Sequence, residues 1–124
     1  MTESTIQAAV RAEAPHYNVF LWRNNNGVLQ DARGVPVRFG LGNDSPRINK
    51  VLKSSDLIGI HHGTGRFVAI ECKPVGWLGV RTEHERAQLA YIDLVNRAGG
   101  VAAFVTTLDE FRGTMHKAGI GRMI

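Results

Sequence analysis

Cysteine is almost missing from this chain: Cys72 stands alone among 124 residues, which excludes an intramolecular disulfide framework and any cysteine-rich zinc site. Long apolar runs are missing as well. None approaches the roughly 20 residues of a membrane span, and the opening stretch MTESTIQAAVRAE carries no signal-peptide h-region. There is neither a GxGxxG pattern nor a P-loop, so the common nucleotide-cofactor signals are excluded. Internal repeats and low-complexity tracts are absent too. These absences lead us to expect a cytoplasmic protein with no membrane and no nucleotide cofactor among its partners.

What is present fits one domain spanning 1–124, long enough to bury roughly two-thirds of its unfolded surface. Hydrophobic residues at 44% against 21% charged ones place the chain among ordinary globular proteins, neither disordered nor fibrous. Lys and Arg number 15 against 11 Asp and Glu, a net charge of +4, which is a moderate prior for a polyanionic partner. The distribution says more. Arg33, Arg38, Arg47, Lys50 and Lys53 face only Asp44 within one glycine- and proline-containing stretch. Taken alone, that stretch is equally a solvated loop or a phosphate-facing patch.

Residues 2–14 predict a helix, with Glu3, Ile6, Gln7, Val10 and Ala14 on one face and Pro15 as its stop. YNVFLWR (17–23) predicts a strand ended by the Asn24-Asn25-Asn26-Gly27 turn, and a shorter strand is expected over 35–39. Two strong strands follow, 56–60 and 66–73, with His61-His62-Gly63-Thr64-Gly65 as the hairpin loop. A long helix is expected over 82–98, closed by Gly99-Gly100. VAAFV (101–105) has the continuous apolar character of a strand buried on both faces. Thr107 to Glu110 reads as a capping box opening a last helix, with Leu108, Phe111 and Met115 inward. The order α-β-β-β-β-α-β-α implies a parallel crossover near the end, hence a mixed central sheet flanked by helices in an α/β or α+β fold.

On the strand 66–73, pattern and chemistry conflict. Alternation puts Phe67, Ala69, Glu71 and Lys73 on one face and Val68, Ile70 and Cys72 on the other. An acid and a base thus project together from the end of an apolar strand. A weak surface ion pair is the bland explanation. Asp56 argues against it, because the antiparallel hairpin brings the start of one strand beside the end of the next. Two carboxylates at one strand end repel unless a divalent cation sits between them. Hard oxygen ligands suit Mg²⁺, which binds through one or two carboxylates plus substrate phosphate. An adjacent Lys then orients or deprotonates an attacking water, or stabilises charge on phosphate. E-x-K alone is common; the spacing D-x14-E-x-K on a hairpin is the specific signal.

Gln88 lies inside the apolar arc of the long helix, between Val95 and Ile92 on a helical wheel, where its amide needs partners. A water or metal-bound hydroxide at the strand ends is one; neighbouring backbone is the bland other. Glu3 shares the inward face of the first helix, although complementing the helix macrodipole would explain it as well. Other candidates fall away. His16, His61, His62, His84 and His116 are scattered, Cys72 points away from Glu71 and Lys73 as a small buried hydrophobe, and Gly76-Trp77-Leu78-Gly79 is only a loop.

Asp56 with Glu71-Cys72-Lys73 in this strand setting resembles the restriction-endonuclease-like core of the PD-(D/E)xK nuclease superfamily. The resemblance sharpens to the VRR-NUC family, the virus-type replication-repair nucleases, and covers nearly the whole chain. It is carried by the N-terminal helix with Glu3, Trp22-Arg23-Asn24-Asn25 followed by Gly27, Ser55-Asp56-Leu57-Ile58-Gly59-Ile60, Ile70-Glu71-Cys72-Lys73, and Gln88 with Gly99-Gly100 beyond it. The approach to the Ser-Asp pair, Lys50-Val51-Leu52-Lys53-Ser54-Ser55, is less glycine-rich than in the small members of the family. The resemblance implies a Mg²⁺- or Mn²⁺-dependent DNA endonuclease. Asp56, Glu71 and the Cys72 carbonyl would ligate the metal, Glu3 would touch its shell, and Lys73 and Gln88 would serve the attacking water. It further implies a homodimer cutting branched DNA such as Holliday junctions, in a bacterial or phage-infected cytoplasm. Arg23, Arg47, Lys50, Lys53 and Ser55 are the expected DNA contacts, mostly to flanking phosphates. The alternatives are a non-catalytic DNA-binding or assembly module that keeps the nuclease fold, or a structural subunit recognised by protein partners.

Overall fold

In the computed structural model, which describes residues 2–123, the hydroxyl of Thr2 accepts from the Thr5 N–H and opens helix α1, Glu3–Glu13. Ile6 and Val10 lie on its inward face. Pro15 does not end the chain's helical path. It sits in the first positions of a 3-10 turn, Ala14–Tyr17, where its missing N–H costs nothing. Asn18 closes that turn in the left-handed region, at φ 60, so strand β1 runs Val19–Arg23 and starts two residues later than expected.

Two elements that the sequence pattern did not signal follow. Strand β2, Gly27–Gln30, pairs with β3, Pro36–Phe39, as a separate antiparallel hairpin. Within the basic stretch lies a short helix α2, Pro46–Val51, with Ser45 as its N-cap accepting from the Ile48 N–H. Then come β4, Leu57–His61, and β5, Phe67–Cys72. Helix α3, Glu83–Arg97, opens with a complete capping box between Thr82 and Glu85. Strand β6, Val101–Val105, and helix α4, Leu108–Lys117, complete the order. At α4 the expected box is displaced: Thr107 accepts from the Glu110 N–H, but the Glu110 carboxylate accepts from the N–H and hydroxyl of Thr106 instead.

The main sheet has the order β1-β4-β5-β6, antiparallel except for the parallel β5–β6 pair that α3 connects. The fold is therefore α+β, with a mixed sheet flanked by helices. Val68, Ile70 and Cys72 face one way, into a core with Ile6, Val10, Phe111 and Met115 from α1 and α4. Ala69 and Ala102 face the other way, against Tyr91, Ile92 and Val95 of α3. Since α3 lies mainly over β5 and β6, Phe20, Trp22 and Ile60 on the far half of that face stay about half exposed. At the β6 edge, the Asn96 amide both donates to the Ala102 carbonyl and accepts from its N–H, each at 2.9 Å. Among the described residues no helix is long and apolar enough to cross a membrane.

Candidate metal centre

The register of the β4–β5 hairpin pairs Leu57 with Ile70, so one step further out Asp56 meets Glu71. Asp56 lies just before β4 rather than in it, because its N–H is diverted from the ladder to the Glu71 Oε1 at 3.1 Å. In return the Cys72 N–H donates to Asp56 Oδ2 at 3.1 Å. Each carboxylate is thus held by the backbone of the neighbouring strand. The Cys72 thiol is buried against α1 and α4. Burial, then the charges of Asp56, Glu71 and Glu3, push that thiol far up.

Glu3 reaches the same place from the exposed first turn of α1: one oxygen each of Glu3, Asp56 and Glu71 lie within 4.8 Å of one another. Such a trio of hard oxygen donors fits a divalent cation. The electrostatics point the same way. Glu71 is only 3% exposed, and burial first, the Asp56 charge second, raise its carboxyl from 4.5 to about 9, with Lys73 opposing. Two crowded carboxylates need a positive charge between them for both to ionise near neutrality.

Lys73 supplies part of it. The residue is buried, its Nζ 3.9 Å from Glu71 Oε2 and donating to Gln88 Oε1 at 2.8 Å. Gln88 is itself buried, so the amide that the helical wheel places in the apolar arc has Lys73 as its partner. Two rings wall in the ammonium: Trp77 at 5.6 Å and Phe104 at 5.8 Å from their centroids. Trp77 is therefore more than loop. Its ring packs on Phe104 at 4.7 Å, and its indole N–H donates to Glu85 at 2.7 Å. That bond, with the N–H groups of Arg81 and Thr82, holds the Glu85 carboxyl down at about 2.

A cavity of about 330 Å³ opens in front of Asp56, Glu71 and Gln88, with Asn26, Val28, Asn49, Lys53 and His84 on its walls. A second, of about 230 Å³, lies on the other side of Asp56 and is lined by Gln7, Arg23, Asn24, Asn25 and Asn26. Another cavity, about 430 Å³, lies along β6 between Asn96 and Thr114, with no Asp or Glu among the described residues of its wall.

Of the basic residues, Arg23 and Lys53 flank the carboxylates, while Arg47 and Lys50 lie on α2, away from both cavities. Arg33 is paired with Asp31 at 3.4 Å, and Arg38 donates to Asn43, which in turn anchors the β2–β3 hairpin through the Gly27 and Phe39 carbonyls. Ser55 needs correcting as a DNA contact: it is 1% exposed, and its hydroxyl donates to the Leu57 carbonyl. His84, set aside from sequence, stands on the cavity wall. Its spacing of four from Gln88 was the available signal, since that interval puts two residues on one helix face. Comparison with known proteins yields no matching family model and no matching curated protein.

Proposed function

We propose that this protein is a metal-dependent DNA endonuclease of the VRR-NUC type, built on a PD-(D/E)xK core. The observation that carries the reading is the convergence of Glu3, Asp56 and Glu71 within 4.8 Å, next to a buried Lys73 held by Gln88. An acidic trio by itself is common. A buried ammonium fixed at its side by a dedicated amide and two aromatic rings is not explained by stability, since burying charge costs free energy even when it is paired.

Asp56, Glu71, the Cys72 carbonyl and Glu3 would hold Mg²⁺ or Mn²⁺. When bound, such a cation polarises a phosphoryl oxygen and lowers the pKa of bound water. The Lys73 ammonium, held between Glu71 and Gln88, orients the attacking water or neutralises charge growing on the phosphate. Gln88 keeps that ammonium from swinging away and presents its remaining amide N–H donors to the same water. Attack on phosphorus breaks one P–O bond and leaves a nick. Arg47 and Lys50 on α2, with Arg23 and Lys53, supply sequence-independent affinity. A homodimer acting on branched DNA completes the proposal. Incubation of supercoiled plasmid with Mg²⁺, with Mn²⁺ and with EDTA tests it: nicking with either metal and none with EDTA is expected. An intact plasmid under all three conditions, with DNA still bound, would leave a binding module in its place.

A further inference from the structure

We propose that a DNA strand crosses the carboxylates from one cavity into the other, one phosphate held by Lys53 and His84 and another, on the opposite side, by Arg23. The inference rests on the nuclease reading and adds to it which residues serve which side of the bond that breaks.

The two cavities have only Asn26 and Asp56 in common. Asp56 is the metal-facing carboxylate, so the cavities are the two exits from the site. Beyond the site's own Asp56 and Glu71, no acid lines either of them. Each offers what a phosphodiester accepts from: a cation and neutral amides.

On the first side the Lys53 ammonium is held in place. With the Asn49 amide turned so that its oxygen faces the cations, it accepts from Lys53 Nζ at 2.9 Å, which uses one of three donors. His84 stands on the same wall. Its pKa is lowered by burial, then by the charges of Lys53 and Lys73, with Glu85 opposing. On the second side Arg23 is the arginine on the cavity wall, and, like Arg11, Arg47, Arg81 and Arg97, it makes no ion pair or side-chain hydrogen bond among the described residues. Arg23 is the last residue of β1, paired with Leu57, so its backbone is anchored beside Asp56. Asn26 divides the two sides. It donates to Ser54 Oγ at 3.4 Å, and Gly40, at φ +104, packs so closely against it that no Cβ would fit. The divider is part of the frame.

A set of four-way DNA junctions, each with one neutral methylphosphonate at a successive position from the branch point, which fixes the register, tests the assignment. Binding is read by anisotropy in EDTA, so that no cleavage intervenes, for wild type, Arg23→Ala, Lys53→Ala and His84→Ala. All three side chains lie at the surface or in the cavity wall, and circular dichroism verifies the fold. For wild type, two positions separated by at least one other should each weaken binding about tenfold, the worth of one hydrogen bond to a charged group. Arg23→Ala should abolish the effect at one position only. Lys53→Ala and His84→Ala should both abolish it at the other. The inference is overturned if Arg23 and Lys53 report on the same position, if the variants weaken all junctions alike, or if wild type binds none of them. An uncut plasmid in Mg²⁺ would instead sink the nuclease reading while the two-position pattern stayed measurable, because binding is read without metal.

Discussion

Replacing Glu71 with glutamine interrogates the site without any substrate. In the folded protein the Glu71 carboxyl is raised from 4.5 to about 9. Below pH 4.5 both folded and unfolded chains hold the proton, and stability is complete. Between 4.5 and 9 the unfolded chain has released it and the folded chain has not, so stability falls by about 1.4 kcal/mol for each pH unit and levels off above 9. By pH 7.5 the loss approaches about 4 kcal/mol, a large part of the roughly 5–15 kcal/mol that holds a domain together. The side chain introduced by Glu71→Gln is neutral throughout, and its amide oxygen can still accept the Asp56 N–H that the native carboxylate accepts. In EDTA at pH 7.5 the variant should therefore melt on the order of 10 °C above wild type, and near pH 4 at almost the same temperature. His84 works with the opposite sign: its lowered pKa costs stability as pH falls below 6.5, in both proteins. It cancels in the difference. Adding Mg²⁺ should stabilise wild type, by about 2.7 kcal/mol at a hundredfold excess over its Kd, and the variant far less. Melting curves followed by circular dichroism from pH 4 to 9 decide the matter. Parallel curves for the two proteins in EDTA would refute the electrostatics, and equal stabilisation by Mg²⁺ would refute the metal site.

Lys73→Met keeps the side-chain length and removes the charge. Mg²⁺ should still raise the melting temperature, while turnover falls roughly 10²-fold or more; wild-type turnover would take Lys73 out of the chemistry. Replacing Lys50 and Lys53 together with Ala should lower the slope of log K against log[salt] by about two, equally for all DNA sequences. An unchanged slope would remove α2 and its C-terminal flank from the interface. Sedimentation at micromolar concentration should give the mass of a dimer, and a four-way junction labelled on each strand should show two symmetric, nearly simultaneous nicks. A monomer that cuts one strand per junction would point to a flap- or nick-directed enzyme.

The site was legible in the sequence because strand geometry alone generates it. Once 56–60 and 66–73 read as a hairpin, alternation and register force Asp56 against Glu71 and put Lys73 on Glu71's face. Gln88 stood out as an amide in an apolar arc, and its partner proved to be Lys73. Elements held by tertiary bonds were not legible. Strand β2 is only four residues long and is anchored by the Asn43 amide from beyond β3. Helix α2 is six residues long, too short for an apolar period to show, although Ser45-Pro46 is the ordinary N-cap and N1 pair. Trp77 acquires its role only through packing on Phe104, a relation that is no spacing along the chain.

Strand β1 leaves the main sheet at Arg23, and β4 re-enters at Leu57, its direct partner. Everything from Asn24 to Ser55, hairpin and α2 included, is therefore an excursion that departs from and returns to one spot beside the carboxylates. Closing such a loop costs only about 0.6 kcal/mol more for each doubling of its length, so the sheet tolerates an excursion of quite different size. Most of the bonds that shape it, from Asn43 to Gly27 and Phe39 and from Ser54 to Leu41, begin and end inside it. It behaves like an interchangeable tool head on a fixed handle. Exchanging it wholesale would rebuild the cavity walls that Asn26, Asn49 and Lys53 now form and leave Glu3, Asp56, Glu71, Lys73 and Gln88 where they stand.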